Sequence, residues 1–219
     1  MDSQLKSEIQ SVLSAIAAHA PILTSQVRTD KLYELFVLGC VLRALNRVGA
    51  TVTTKDSNDR PTNTVVFRLG PGLIYNPATA PSFFYIVYAE QEYELQNSLR
   101  VRGRSKVLHE IDVCILRRSD ADRCRREGID PTQSSIKFLA ERKYYGRTLP
   151  LHLGREFVGL CSEFSLRIKV MVSNVGNDEI HALITRHGGT ENFNISPTDP
   201  SRVEVFVGWL ANEFQQVLK

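Results

Sequence analysis

Two short apolar stretches carry charge where a buried strand should carry none, and together they restrict what this chain can become. The first reads Leu108-His109-Glu110-Ile111-Asp112-Val113-Cys114-Ile115-Leu116, the second Ile136-Lys137-Phe138-Leu139-Ala140-Glu141-Arg142-Lys143-Tyr144-Tyr145. Residues two apart on a strand share a face. Alternation therefore predicts Glu110 and Asp112 on one face, with Ile111, Val113 and Ile115 on the other. It likewise sets Glu141 beside Lys143, opposite Phe138 and Ala140. If the strands are neighbours, three carboxylates and an ammonium meet on one patch. Like charges gather only at a cost unless a cation holds them. The pattern therefore predicts a metal site built on a strand pair.

The charge around these strands is lopsided. Residues 98–147 hold 13 Lys/Arg against 7 Asp/Glu, an excess of +6 in a chain whose formal charge is only +3. A positive field around carboxylates suits a cleft for a polyanion, although a solvated basic loop gives the same count. Arg102, Arg104 and Lys106 lead into the first strand and share its acidic face if the strand is continuous; a turn at Arg-Gly-Arg-Ser would reset the parity. Arg117 and Arg118 open an arginine-rich insert, residues 117–135, read as a polar loop that is either solvated or a flap on nucleic acid. With Arg147 after the second strand, these six are the candidate phosphate-contacting cations.

The remainder predicts a soluble α/β protein. No apolar run reaches the roughly 20 residues that span a bilayer, and the N-terminus lacks the pattern of a secretory signal. Cys40, Cys114, Cys124 and Cys161 are scattered without a CxxC pair, which argues against a zinc site or disulfide framework and for a reducing, cytoplasmic setting. Apolar spacing predicts a helix over 3–20, within an N-terminal extension covering 1–28, and a largely buried helix over 29–48 carrying Glu34. Strands are expected at 50–54, 64–69 and 82–89, residues 90–99 read equally as helix or strand, and the insert holds at most a helical turn. Beyond the second acidic strand come a helix at 151–168, a strand at 169–173, a helix at 177–187, a short strand at 192–196 and a closing helix at 203–218. This gives one domain, 29–219, with a central mixed sheet flanked by helices and the site at one sheet edge. Parity places His109 on the core side as a hydrogen-bonded histidine, with no partner spacing for zinc.

The succession of a helix with Glu34, a strand with Asp112, a strand ending Glu141-Arg142-Lys143, then helix and strand, resembles the PD-(D/E)xK nuclease superfamily. Its Mrr-type and Holliday-junction-resolvase-like members are nearest in pattern. The resemblance implies a restriction-endonuclease-like fold, with an extra β-rich insertion here between Glu34 and Asp112. It implies Asp112 and Glu141 as catalytic metal ligands, the Arg142 main-chain carbonyl completing the shell, and Glu34 as a further ligand. Glu110 is another candidate ligand, and Glu94 or Glu110 is the alternative to Glu34. Lys143 would orient the attacking water or stabilise developing charge. Oxygen ligands favour Mg²⁺ or Mn²⁺. Two departures stand out: Ile111 occupies the place of the family's proline, and the insert lengthens the gap from Asp112 to Glu141. The activity implied is a Mg²⁺-dependent DNA endonuclease of restriction or anti-phage defence, working as a homodimer or with a partner protein in a defence complex. A nuclease acting on RNA, or a non-catalytic nucleic-acid-binding or interaction subunit, is the competing reading.

Overall fold

Helix α1 (Thr29–Arg47) is buried around most of its circumference, because the sheet lies on one side of it and the last helix on the other. Leu32, Phe36, Val41 and Leu45 join one apolar layer with strand residues and with Val203, Phe206, Leu210 and Phe214 of that last helix. Gly49, at φ +81°, ends α1 in the left-handed conformation that glycine adopts without strain. The computed structural model describes residues 29–75 and 81–219, with Ser7 alone before them. The helix expected over 3–20, and the 1–28 extension, lie outside the described residues apart from Ser7.

The protein is α/β. Seven strands form one mixed sheet in chain order: β1 (Thr51–Lys55), β2 (Phe83–Tyr88), β3 (Gln91–Arg102), β4 (Leu108–Arg117), β5 (Ile136–Lys143), β6 (Ile168–Ser173) and β7 (Thr190–Asn192). Strands β1 to β5 are antiparallel; β5, β6 and β7 are parallel. Helices α1 and α5 (Pro200–Val217) cover one face. Helices α2 (Arg118–Glu127), α3 (Leu151–Glu163) and α4 (Asp178–Arg186) cover the other, over Ile111, Leu116, Leu139 and Met171. Among the described residues no helix is long and apolar enough to cross a membrane.

Two expectations need correction, and one open alternative is decided. Residues 64–69 form no strand. Pairing of β2 with β3 ends at Phe84–Leu95, and the chain around Gly72 takes over that edge of β3 through only two backbone bonds, Gly72 N–H to Ser98 O at 2.9 Å and Arg100 N–H to Gly72 O at 2.9 Å. The stretch at 90–99 belongs to the long strand β3. The insert holds a ten-residue helix, α2, seated on Ala121 and Cys124 and ended by Gly128 at φ +65°.

Candidate active site

The β4–β5 ladder runs back to Val113–Ala140 and stops there. Beyond that pair the strands part, and Asp112 turns into the gap. Its Oδ2 accepts a hydrogen bond from the backbone N–H of Arg142 at 2.9 Å. The N–H and C=O of one extended residue point to the same side, so the Arg142 carbonyl faces this gap too. β4 and β5 are the fourth and fifth of seven strands, so the site lies mid-sheet, where the ladder ends, rather than at the expected edge.

Alternation along β4 breaks at Asp112. Ile111 packs in the layer beneath α3, whereas Val113 and Ile115 pack beneath α1 and α5, so these three do not share a face as strict alternation predicted. Strand β3 changes sides at the same level: Leu95 lies in the α1 layer, Leu99 and Val101 in the α3 layer. The register is the same on both sides of the break, with Asn97 opposite Val113 and Leu99 opposite Ile111. The change is accommodated by Ser98, at φ +46°. A non-glycine residue held there costs on the order of 1–3 kcal/mol and persists only where its surroundings fix it. The fixing groups are visible. Ser98 Oγ donates to Glu34 at 2.7 Å and accepts from Lys31 Nζ at 3.1 Å.

Glu34 is brought to the cluster, but its oxygens are occupied. Fully buried on α1, it accepts hydrogen bonds from Lys31 Nζ (2.8 Å), Asn97 Nδ2 (3.0 Å), Ser98 Oγ (2.7 Å) and Arg142 Nη2 (3.0 Å). The Arg142 guanidinium spans two carboxylates, since its Nε also lies 3.5 Å from Asp112 Oδ2. Only the main chain of Arg142 was anticipated from sequence, and its side chain is a principal part of the site. Asn97 and Ser98 were likewise missed, having no motif to mark them. Lys31 had a signal, the i,i+3 spacing to Glu34.

Glu141 is placed differently. It follows Leu139 onto the α3 side, with Lys143 Nζ 3.6 Å from its Oε2 and no hydrogen-bond donor to either oxygen among the described residues. Burial pushes its carboxyl well above the usual carboxylate range, with the charge of Asp112 adding to the shift and Lys143 opposing it. Asp112 is raised for the same first reason, burial, opposed by Arg142 and by the backbone bond from Arg142 and reinforced by Glu34. Glu110, across from Arg100, is raised by burial and then by Asp112.

No protein-family model matches this chain, and no curated protein is significantly similar to it. Its chemistry has to be read from the side chains themselves.

Among the described residues no group of three or more His, Cys, Asp or Glu side chains is arranged to hold a metal ion. The oxygens available in the gap are those of Asp112 and Glu141, with the Arg142 carbonyl. Of the six candidate phosphate-contacting cations, Arg104 and Lys106 are exposed in the turn joining β3 to β4, and Arg147 is exposed in the loop after β5. That turn, with Lys106 N–H bonded to Gly103 O at 3.1 Å, overturns the continuous strand from Arg102 to Asp112. Arg102 is tied to Asp130 at 2.8 Å. Arg117 ends β4, five residues and roughly 17 Å beyond Asp112 by strand rise, and Arg118 opens α2 just after it. Arg118 is buried against Glu94 (3.0 Å), Asp122 (2.8 Å) and Asp59 (3.0 Å), so ion pairs hold the start of α2 against β3. His109 faces Phe164 on the α3 side, but its Nε2 lacks the expected hydrogen bond and stands 3.8 Å from Glu163.

Proposed function

We propose that this protein is a Mg²⁺-dependent endonuclease that hydrolyses DNA phosphodiester bonds, a distant relative of the PD-(D/E)xK nucleases with a restriction-endonuclease-like core. The observation that carries the reading is Glu141, a largely buried carboxylate with no hydrogen-bond donor among the described residues, set beside Asp112 at a break in the sheet. Burying an ionised carboxylate without donors is costly, and a cation between Asp112 and Glu141 removes that cost. The donor set fits Mg²⁺ or Mn²⁺, which bind through one or two carboxylates and keep several waters. Asp112, Glu141 and the Arg142 carbonyl would hold the ion. Such an ion lowers the pKa of a bound water and neutralises charge on the phosphate.

The chain's own residues supply the rest. The Arg142 N–H fixes the rotamer of Asp112 through Oδ2 and leaves Oδ1 without a hydrogen bond among the described residues. Lys143, about a quarter exposed, places an ammonium beside Glu141 at the mouth of the gap, where an attacking water or a phosphate oxygen can be held. Arg100, Arg104, Lys106 and Arg147 are exposed at the same end of β4 and β5 and supply non-specific phosphate contacts.

The test is incubation of the purified chain with supercoiled DNA, linear DNA and RNA in Mg²⁺, Mn²⁺ or EDTA. Cleavage of DNA is expected with either metal and none in EDTA. Asp112→Ala and Lys143→Ala should each lower it by about 10²–10³-fold. Cleavage of RNA alone would reassign the substrate. Absence of cleavage on every substrate, or unaltered cleavage by both variants, would reject the enzyme in favour of a non-catalytic binding subunit, in which Arg142 already neutralises Asp112 and Glu34 as a structural bridge.

A further inference from the structure

A second concentration of charge lies on the α2 side of β3. Here Asn58, Arg68, Tyr75, Phe83, Gln96 and Arg125 line a cleft of about 150 Å³. Two of the nearby arginines are accounted for. Buried Glu94 accepts both Nη atoms of Arg125, at 2.7 and 2.6 Å, Arg118 Nη1 at 3.0 Å and Gln96 Nε2 at 2.8 Å. With its oxygens so engaged, Glu94 makes no hydrogen bond to a third guanidinium and acts on it only through its charge.

Arg68 is that third guanidinium. It is only 4% exposed, yet its hydrogen bonds go to neutral groups, from Nη1 to Gln96 Oε1 at 2.7 Å and to the Asn97 carbonyl at 3.1 Å. Its Nε is buried without a hydrogen-bond partner among the described residues. Among the described residues no carboxylate lies within ion-pairing distance of it. Burial pulls its pKa down to about 10, which leaves it cationic at neutral pH. The chain makes room for it as well. A Cβ on Gly72 would stand 2.5 Å from Arg68 Cδ and 2.7 Å from Nε, so the glycine lets the stem lie flat against the backbone. A buried cation without a directly paired carboxylate is unfavourable, and here it forms the wall of a cavity.

We propose that this cleft is an anion site that takes a phosphoryl group, with Arg68 as its counter-charge. The donors favour phosphate over a carboxylate. Arg125, largely buried over the Phe83 ring at 4.6 Å and already bound to Glu94, adds positive charge to the wall, and Ser57 and Asn58 add neutral donors at the rim, a lining that suits the higher charge of a phosphoryl group. The phosphoryl group is either the terminal phosphate of a nucleic acid or a free phosphate. The cleft is joined to the carboxylate gap by hydrogen bonds. Asn97 accepts from the Arg68 backbone N–H at 3.2 Å and donates to Glu34 at 3.0 Å, and Glu34 is bound by Arg142, the residue that also holds Asp112. The proposal does not depend on the phosphodiesterase reading, because binding is measured without divalent cation.

The experiment is calorimetric titration of the full chain, in EDTA, with inorganic phosphate and with one oligonucleotide bearing either a 5′-phosphate or a 5′-hydroxyl. Phosphate should bind. Arg68→Met should weaken it by at least about tenfold, the loss of one charge-assisted hydrogen bond. Asn58→Asp sets a carboxylate on the exposed rim and should weaken it comparably without disturbing the core, which keeps the test decisive if Arg68→Met does not fold. Asp112→Asn should bind phosphate like the parent, so loss of nuclease activity and loss of this site are separable. Preference for the 5′-phosphorylated oligonucleotide assigns the cleft to a strand end; inorganic phosphate binding with equal affinity for the two oligonucleotides assigns it to the free anion. No phosphate binding up to about 10 mM, or undiminished binding by Asn58→Asp, overturns the proposal.

Discussion

Replacing Arg142 by methionine keeps an apolar stem of similar length and removes the charge that spans Glu34 and Asp112. The two contacts, 3.0 Å to Glu34 and 3.5 Å to Asp112, are made by a side chain only 12% exposed. Deleting one partner of a buried pair costs about 3–5 kcal/mol. Glu34 keeps its other three donors, so the low end applies, about 3 kcal/mol, or roughly 6–12 °C in Tm for a chain of this size. The loss should depend on pH. Asp112 already has a folded pKa above its ordinary value because burial outweighs the opposing pull of Arg142, and removing that pull raises it further. A carboxyl whose folded pKa is raised binds more protons in the native state, so stability falls as pH rises from the unfolded value, near 4, through the folded one. The full loss is therefore expected at pH 8 and a much smaller one near pH 4. Urea unfolding of parent and variant at both pH values measures it. Equal losses at the two pH values, or a loss below about 1 kcal/mol at pH 8, would show that the bridge does not stabilise the carboxylates as argued.

Two further outcomes follow from the same geometry. In EDTA, the raised carboxyls of Asp112, Glu141 and Glu110 should make the parent lose stability as pH rises above about 4. Ligand carboxylates must be deprotonated, so stabilisation by Mg²⁺ should grow over the same range; thermal melts across pH with and without the ion decide this, and a pH-independent or absent Mg²⁺ shift would count against Asp112 and Glu141 as ligands. Glu94→Ala should destabilise by about 3 kcal/mol, the low end for a broken buried pair, because it takes the buried carboxylate from Arg118 and Arg125, only 10% and 22% exposed, and leaves them the more exposed Asp59 and Asp122; a loss near zero in urea unfolding would mean these outer carboxylates suffice.

Periodicity made most of the fold legible. The helix at 29–48 and the elements from 151 onward are visible as apolar stripes, and the structure places α1, α3, β6, α4 and α5 there. It failed where burial is polar. In β3, Glu94, Gln96, Asn97 and Ser98 are all buried, satisfied by arginines from distant segments and by α1, so the strand carries no hydrophobic alternation to read. The helix α2 was hidden for the same reason: beyond Ala121 and Cys124 it is anchored by Arg118 and Arg125. At the site, the Glu141–Lys143 pair was visible because spacing by two needs only a strand. The Arg142 bridge was not, since it requires knowing that α1 crosses over the end of β5.

The buried glutamates of this domain separate structural charge from chemically poised charge. Glu34 and Glu94 are each fully enclosed, and each accepts four hydrogen bonds, with cations among the donors. Such carboxylates are complete within the protein and have no oxygen to offer an outside ion. That is the physical reason for removing Glu34 from the ligand set despite its place in the cluster, and it disqualifies Glu94 as a substitute. Glu141 is nearly as enclosed, yet it has only an ammonium at 3.6 Å. The fold satisfies two buried glutamates thoroughly and gives a third no hydrogen-bond donor among the described residues, beside a second raised carboxyl and a strained serine. On the proposed reading, that third carboxylate would be completed by a divalent cation, whose charge and oxygen preference match the oxygens left in the gap.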